Sequence, residues 1–237
     1  MQNFVFDLYG TLADISTDES SEKFKTKVGR YFARLNSNVN DFFALYYDYC
    51  ARRSGGGYCE SELFGVFLDI LAYGGNSTDE ETARRAVRYF RKKSCSRLKL
   101  YGGVRALLKN LKRRGAKLYI LSNAQACFTW DEIKKLKIAK YFDGIELSSD
   151  FGEKKPSPAF FKHIADKYSL DTNSVVYTGN DFAADIAGAK AAGFKAVYIK
   201  SNLSPETDDM REVKAVADFA TDNFKSLAAY LLGLCGN

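Results

Sequence analysis

Nine polar side chains lie where short apolar runs of this chain give out, and their types suit one kind of chemistry. NFVFDLYG (3–10) carries Asp7, with Thr11 four residues further on. AKLYILSNA (116–124) ends on Ser122 and Asn123, and the loop after GIELSSD (144–150) carries Lys154 and Lys155 just before Pro156. SVVYTGND (174–181) delivers Asn180 and Asp181, and Asp185 follows one helical turn later. Carboxylates, hydroxyls and a lysine gathered at one end of a sheet make a magnesium and phosphate site. A dianionic phosphate approaching a carboxylate is repelled, so a divalent cation and an ammonium group must stand beside it.

Such a site needs strands that end together. The apolar runs above, with KAVYIK (195–200), read as strands buried on both faces, and helical patterns separate them. Val104, Leu107, Leu108 and Leu111 fall on one helix face, with Gly115 as a stop signal. Thr129 and Glu132 suggest a capping box, as do Thr78 and Glu81. The pattern predicts an α/β fold with a Rossmann-like parallel sheet, whose ligands bind beyond the carboxyl ends of the strands. Residues 15–97 break the rhythm with helices alone, rich in Tyr and Phe that are expected to pack as a core of their own. They are assigned to a helical cap, leaving 1–14 and 98–237 as the α/β core. RSGGGY (53–58) is a flexible turn within reach of the site. A short edge strand and a closing helix (226–234) complete the expected chain.

With 46% hydrophobic and 27% charged residues over 237 positions, the composition is that of a globular protein. Five cysteines without a C-x-x-C pair predict neither a disulfide framework nor a zinc site, and fit a reducing, cytoplasmic compartment. No signal peptide and no membrane span are expected. The single histidine, His163, excludes a Ser/His/Asp triad. The basic stretch KNLKRRGAK (109–117) reads as a solvated helix face, so neither a nucleic acid nor a membrane is an expected partner. Oligomeric state is left open.

DLYGT, LSN, KKPSPAFF and GNDFAADIAGAKAAG resemble, in order and spacing, the four motifs of the haloacid dehalogenase-like (HAD) hydrolases. The insertion after the first motif is similar to that family's helical cap. The resemblance implies an aspartate nucleophile, Asp7, that forms a covalent intermediate. It implies Mg²⁺ held by Asp7 and the main-chain carbonyl of Tyr9. It also implies that Thr11 and Ser122 hydrogen-bond the phosphoryl oxygens, that Asn123 lines the same pocket and that Lys155 offsets the charge on Asp7 and the phosphoryl group. In the last motif, Asp181 is favoured as a metal ligand, Asp185 binds directly or from behind, and the Asn180 amide oxygen is a further candidate.

Tyr9 departs from the pattern, since most family phosphatases carry a second aspartate there. A phenol can donate a proton at pH 7. As a base it is poor, with about one part in a thousand ionised and a penalty of roughly 4 kcal/mol. Two readings follow. The favoured one is a Mg²⁺-dependent phosphatase of small phosphorylated metabolites, slow or partial to good leaving groups. The alternative is a metal-independent 2-haloacid dehalogenase, which would draw an arginine such as Arg30 or Arg34 from the early cap. A phosphate-binding relative that has lost most of its catalysis is a third.

Overall fold

A computed structural model describes residues 2–235. Its strands are β1 (Asn3–Phe6), β2 (Ala13–Thr17), β3 (Cys95–Leu100), β4 (Lys117–Ser122), β5 (Gly144–Leu147), β6 (Val175–Gly179), β7 (Lys195–Ile199) and β8 (Phe219–Thr221). Six of them form one parallel sheet in the order β5–β4–β1–β6–β7–β8. Every run read as a strand pairs in this sheet. Phe4, Val5 and Phe6 of the central β1 are wholly buried, which is why that strand is apolar at successive positions rather than at alternate ones. Strand order reverses beside β1, with β4 on one side and β6 on the other, so the loops after these three strands share one crevice.

Between β2 and β3 lie four helices, α1 (Glu22–Leu35), α2 (Phe42–Arg53), α3 (Leu63–Ala72) and α4 (Glu80–Ser94). Phe24, Phe32, Phe42, Tyr46, Phe67 and Phe90 pack there into an aromatic cluster. β2 and β3 pair antiparallel as a two-stranded ribbon that leads into and out of these helices. The ribbon was not anticipated. Its residues alternate polar and apolar over too few positions to stand out from helix ends.

In the rest of the chain, α5 (Val104–Arg113), α6 (Ala126–Leu136), α7 (Ser148–Phe151), α8 (Pro158–Lys167), α9 (Gly188–Ala191), α10 (Met210–Val216) and α11 (Phe224–Gly233) surround the sheet. Val104, Leu107, Leu108 and Leu111 of α5 are all buried and share one core with Leu227 and Leu231 of α11. Phe160, Phe161 and Ile164 of α8 pack on the opposite face of the sheet. Among the described residues no helix is long and apolar enough to cross a membrane, and all five cysteines are free.

Both expected capping boxes are replaced. α4 is capped by Asp79, which accepts from the Thr82 N–H at 2.7 Å, since a carboxylate one residue later is the stronger acceptor. α6 starts at Ala126, whose N–H is met at 2.8 Å by the Ser149 hydroxyl from another segment. Thr129 and Glu132 therefore lie inside α6, where the Thr129 hydroxyl donates to the Gln125 carbonyl at 2.9 Å.

Candidate active site

Asp7 leaves the end of β1 with its N–H donating to the Thr178 carbonyl of β6 at 2.9 Å. The chain then turns sharply at Gly10, where φ is +88° and a Cβ would lie 2.3 Å from the Asn180 amide. Only glycine meets both demands. The turn brings the Thr11 hydroxyl to 3.1 Å from Asn180 Oδ1 and so joins the first and last motifs.

Lys155 is the hub. Only 3% exposed, its ammonium donates to Asp7 Oδ1 at 2.8 Å, to Asp185 Oδ1 at 2.6 Å and to the Tyr177 hydroxyl at 2.8 Å. Three N–H groups thus meet three acceptors. Lys154 beside it is exposed. Ser122 adds a hydrogen bond to Asp7 Oδ1 at 2.9 Å. Asn123, expected to line the phosphate pocket, has its amide clasped on the backbone of Lys155, accepting from the N–H at 2.7 Å and donating to the carbonyl at 3.0 Å. An amide matches a peptide group donor for acceptor, which holds the lysine loop against the end of β4.

Asp185 is saturated. One oxygen takes Lys155 and, at 2.8 Å, the Tyr177 hydroxyl; the other takes the N–H groups of Asn180 and Asp181 at 2.9 and 3.0 Å. Gly179 makes room for it, because a Cβ there would lie 2.3 Å from that carboxyl group. Asp181 caps the following π-helical turn by accepting from the Ala184 N–H at 2.8 Å. Tyr177 went unnoticed in the sequence, where a tyrosine in VVYTG reads as one more buried strand residue.

Two buried carboxylates face one ammonium, so the cluster carries uncompensated negative charge. Burial raises the Asp7 pKa, the Lys155 charge offsets this in part, and the Asp185 charge adds to the rise. For Lys155, burial favours the neutral amine, but Asp185 and Asp7 outweigh it and the pKa rises. A divalent cation is the natural complement of such a site. Asp7 Oδ2 and one Asp181 oxygen accept no hydrogen bond among the described residues, and Asn180 Oδ1 accepts only from Thr11. These hard oxygen donors fit Mg²⁺. No three His, Cys, Asp or Glu side chains form a group that could hold a metal among the described residues. Asp185 has no acceptor capacity to spare and supports the lysine instead.

The Tyr9 hydroxyl is engaged by α6. Its hydroxyl donates to Glu132 and lies 3.1 Å from Thr129, both on α6. Glu132 is in turn paired with Arg91 of α4 at 2.6 Å. Burial and the Glu132 charge push the phenol pKa well above its usual value, the reverse of what a base needs. The side chain ties the loop after β1 to α6 and, through Glu132 and Arg91, to the helical insertion. RSGGGY leads into a segment lying against the lysine loop: the Tyr58 carbonyl accepts from the Lys154 N–H at 2.8 Å, and the Glu60 N–H donates to Gly152 at 2.9 Å. Arg30 and Arg34 are exposed on α1. His163 pairs with Glu146 at 2.7 Å, outside the cluster.

A curated glyceraldehyde 3-phosphate phosphatase of Pyrococcus furiosus is 29% identical over 129 residues, 54% of this chain and 53% of that protein. A phosphoglycolate phosphatase of Pseudomonas fluorescens is 26% identical over 197 residues, 82% of this chain and 68% of its own length. The chain thus spans about half the length of several curated relatives it matches. Among solved structures, a HAD phosphatase from Thermococcus onnurineus aligns with a TM-score of 0.63 at 18% identity, over 98% of both chains, a likeness of fold. The family model of the haloacid dehalogenase-like hydrolases matches residues 1–193, which span all four motifs and the cluster around Asp7, and the chain belongs to that family.

Proposed function

We propose that this chain is a Mg²⁺-dependent phosphatase of small phosphorylated metabolites with Asp7 as its nucleophile. One observation carries the reading: Lys155 holds one oxygen of Asp7, and the other accepts nothing among the described residues. That free oxygen attacks phosphorus. The bond from phosphorus to the leaving oxygen breaks, and the electron pair departs with that oxygen. The phosphoryl group is left on Asp7 until water attacks the phosphorus, releases inorganic phosphate and restores the carboxylate. Bound Mg²⁺ would neutralise charge between the carboxylate and the phosphoryl oxygens, with Asp7, Asp181, Asn180 and the Tyr9 carbonyl as its protein ligands. The Thr11 and Ser122 hydroxyls, which donate to Asn180 and Asp7 here, would turn to phosphoryl oxygens when substrate binds, while Asn123 and Asp185 keep the lysine in position.

Because the Tyr9 proton is held by Glu132, the leaving oxygen receives no proton from that residue. Esters of acidic alcohols should therefore turn over fastest. The relatives' names all denote small phosphate monoesters, which supports a substrate of that class. The dehalogenase alternative needs an arginine at the nucleophile, and Arg30 and Arg34 are exposed. Phosphate release from p-nitrophenyl phosphate, with and without chelator, tests the proposal. Mg²⁺-dependent turnover that disappears in Asp7→Asn is expected, while turnover indifferent to chelator, or seen only with 2-haloacids, would refute it.

A further inference from the structure

Between Glu81 and Asp131 the chain contains no acid. Residues 82–130 carry fourteen Lys and Arg, while the rest carries 21 basic against 29 acidic side chains. This stretch builds α4, β3 and α5, and the fold lays α4 and β3 against α6, whose last turn adds Lys134 and Lys135. Three cavities of about 760, 270 and 390 Å³ share the Lys135 edge of α6 and form a seam: the first runs between the end of β3, α5 and α6, and the other two between α4 and α6. Lys135 lines all three. Arg105 and Lys109 line the first, Arg97 the second, Arg88 the third, and Lys92 the second and third. The acids on these walls are Asp131 and Glu132, and Glu132 is already engaged by Arg91 and Tyr9. Among the described residues, Arg88, Lys92, Lys109 and Lys135 take part in no ion pair.

A compact anion would neutralise one cavity and leave the others unmatched. Positive charge that continues along a seam suits a chain of phosphates. Tyr101 and Tyr141 wall the first cavity, giving half-buried rings on which bases stack and which a bare phosphate chain would not use. A lipid surface would call for exposed apolar side chains. The large exposed ones, including Tyr47, Tyr58, Trp130 and Leu203, line none of these three cavities. We propose that this seam binds the backbone of a single-stranded nucleic acid, with α4 and α5 gripping one strand on either side of Lys135. Residues 109–117 taken by themselves read as a solvated helix face; their convergence with α4, β3 and α6 changes that. The inference does not depend on the hydrolase reading.

Fluorescence anisotropy of a labelled oligouridylate of about 12 nucleotides, titrated with the full chain at about 0.15 M salt, tests it. Lys109→Glu with Lys135→Glu should weaken binding at least about tenfold and flatten the log–log salt slope by about 1.4. Lys23→Glu with Lys27→Glu, the same charge change on exposed positions of α1, should leave both unchanged. Circular dichroism checks that each variant folds, and Lys135→Gln alone carries the test if the double variant does not. Absence of binding, equal loss in the α1 control, equal binding of a polyphosphate of matched charge, or preference for phosphatidylserine vesicles would each overturn the proposal.

Discussion

The crevice around Lys155 and the aromatic cluster of the helical insertion are both buried, yet they are held together by opposite means. In the crevice the buried groups are charged, and nearly every donor and acceptor has a named partner. In the insertion they are rings: Phe90 lies 5.1 Å from Phe24, 5.2 Å from Phe67 and 6.0 Å from Phe128, and the Arg91 guanidinium covers the Phe128 ring at the edge of the group. Burying charge is tolerable only when every contact is met, so a single deletion leaves an unpaired neighbour. Packed rings lose contacts in proportion to the volume removed. The first region should be intolerant in function, the second graded in stability. Phe128 of α6 joins them, since it packs in the aromatic cluster while its helix carries Glu132, the partner of Tyr9.

Lys155→Met should produce the largest effect. It leaves Asp7 and Asp185 facing each other without a cation, at a cost of about 3–5 kcal/mol, and should lower phosphate release by more than about a hundredfold. Urea denaturation and steady-state kinetics would measure both, and near-normal turnover would dissolve the contrast between the regions. Phe90→Ala should cost a similar 3–5 kcal/mol. Its kcat/KM should stay within about tenfold of the parent where the variant remains folded; a loss as deep as that of Lys155→Met would mean that the cluster sets the catalytic geometry.

Tyr177→Phe keeps the ring on Phe161 but deprives Lys155 and Asp185 of the hydroxyl. An unmet buried donor costs about 1–3 kcal/mol, so kcat should fall several-fold with KM little changed. A change confined to KM would assign the hydroxyl to substrate binding.

The smallest effect concerns Glu146. Burial tends to raise its pKa, but hydrogen bonds from Lys167, Tyr168 and His163 outweigh this and hold it below the usual carboxylate value. A carboxylate depressed in the fold contributes stability above its unfolded pKa and loses it as pH falls through the folded value. Glu146→Gln should therefore flatten the acid limb of a stability–pH profile below about pH 4.5 and leave hydrolysis at neutral pH untouched. An unaltered acid limb would show that the pair does not contribute.

Much of the crevice was legible in advance. A parallel sheet presents the carboxyl ends of its strands along one edge, so polar residues that terminate apolar runs must meet there. Asp7, Ser122, Lys155 and Asp185 do so. The capping boxes misled because Asp79 and the Ser149 hydroxyl offered better acceptors than the local pattern allowed for. The clasp of Asn123 on Lys155 and the place of Tyr177 were not foreseen because these bonds depend on side-chain direction and on partners 32 and 22 residues away.

Local sequence therefore determined the strands of the large sheet, the edge where they end and the residue types delivered to it, because hydrophobic period and turn chemistry act over a few positions. Tertiary structure alone decided that the Tyr9 proton goes to Glu132, 123 residues distant, and that cations from four separate elements line one seam. Hydrogen bonds and fields between groups far apart in the chain exist only once packing has set their distances.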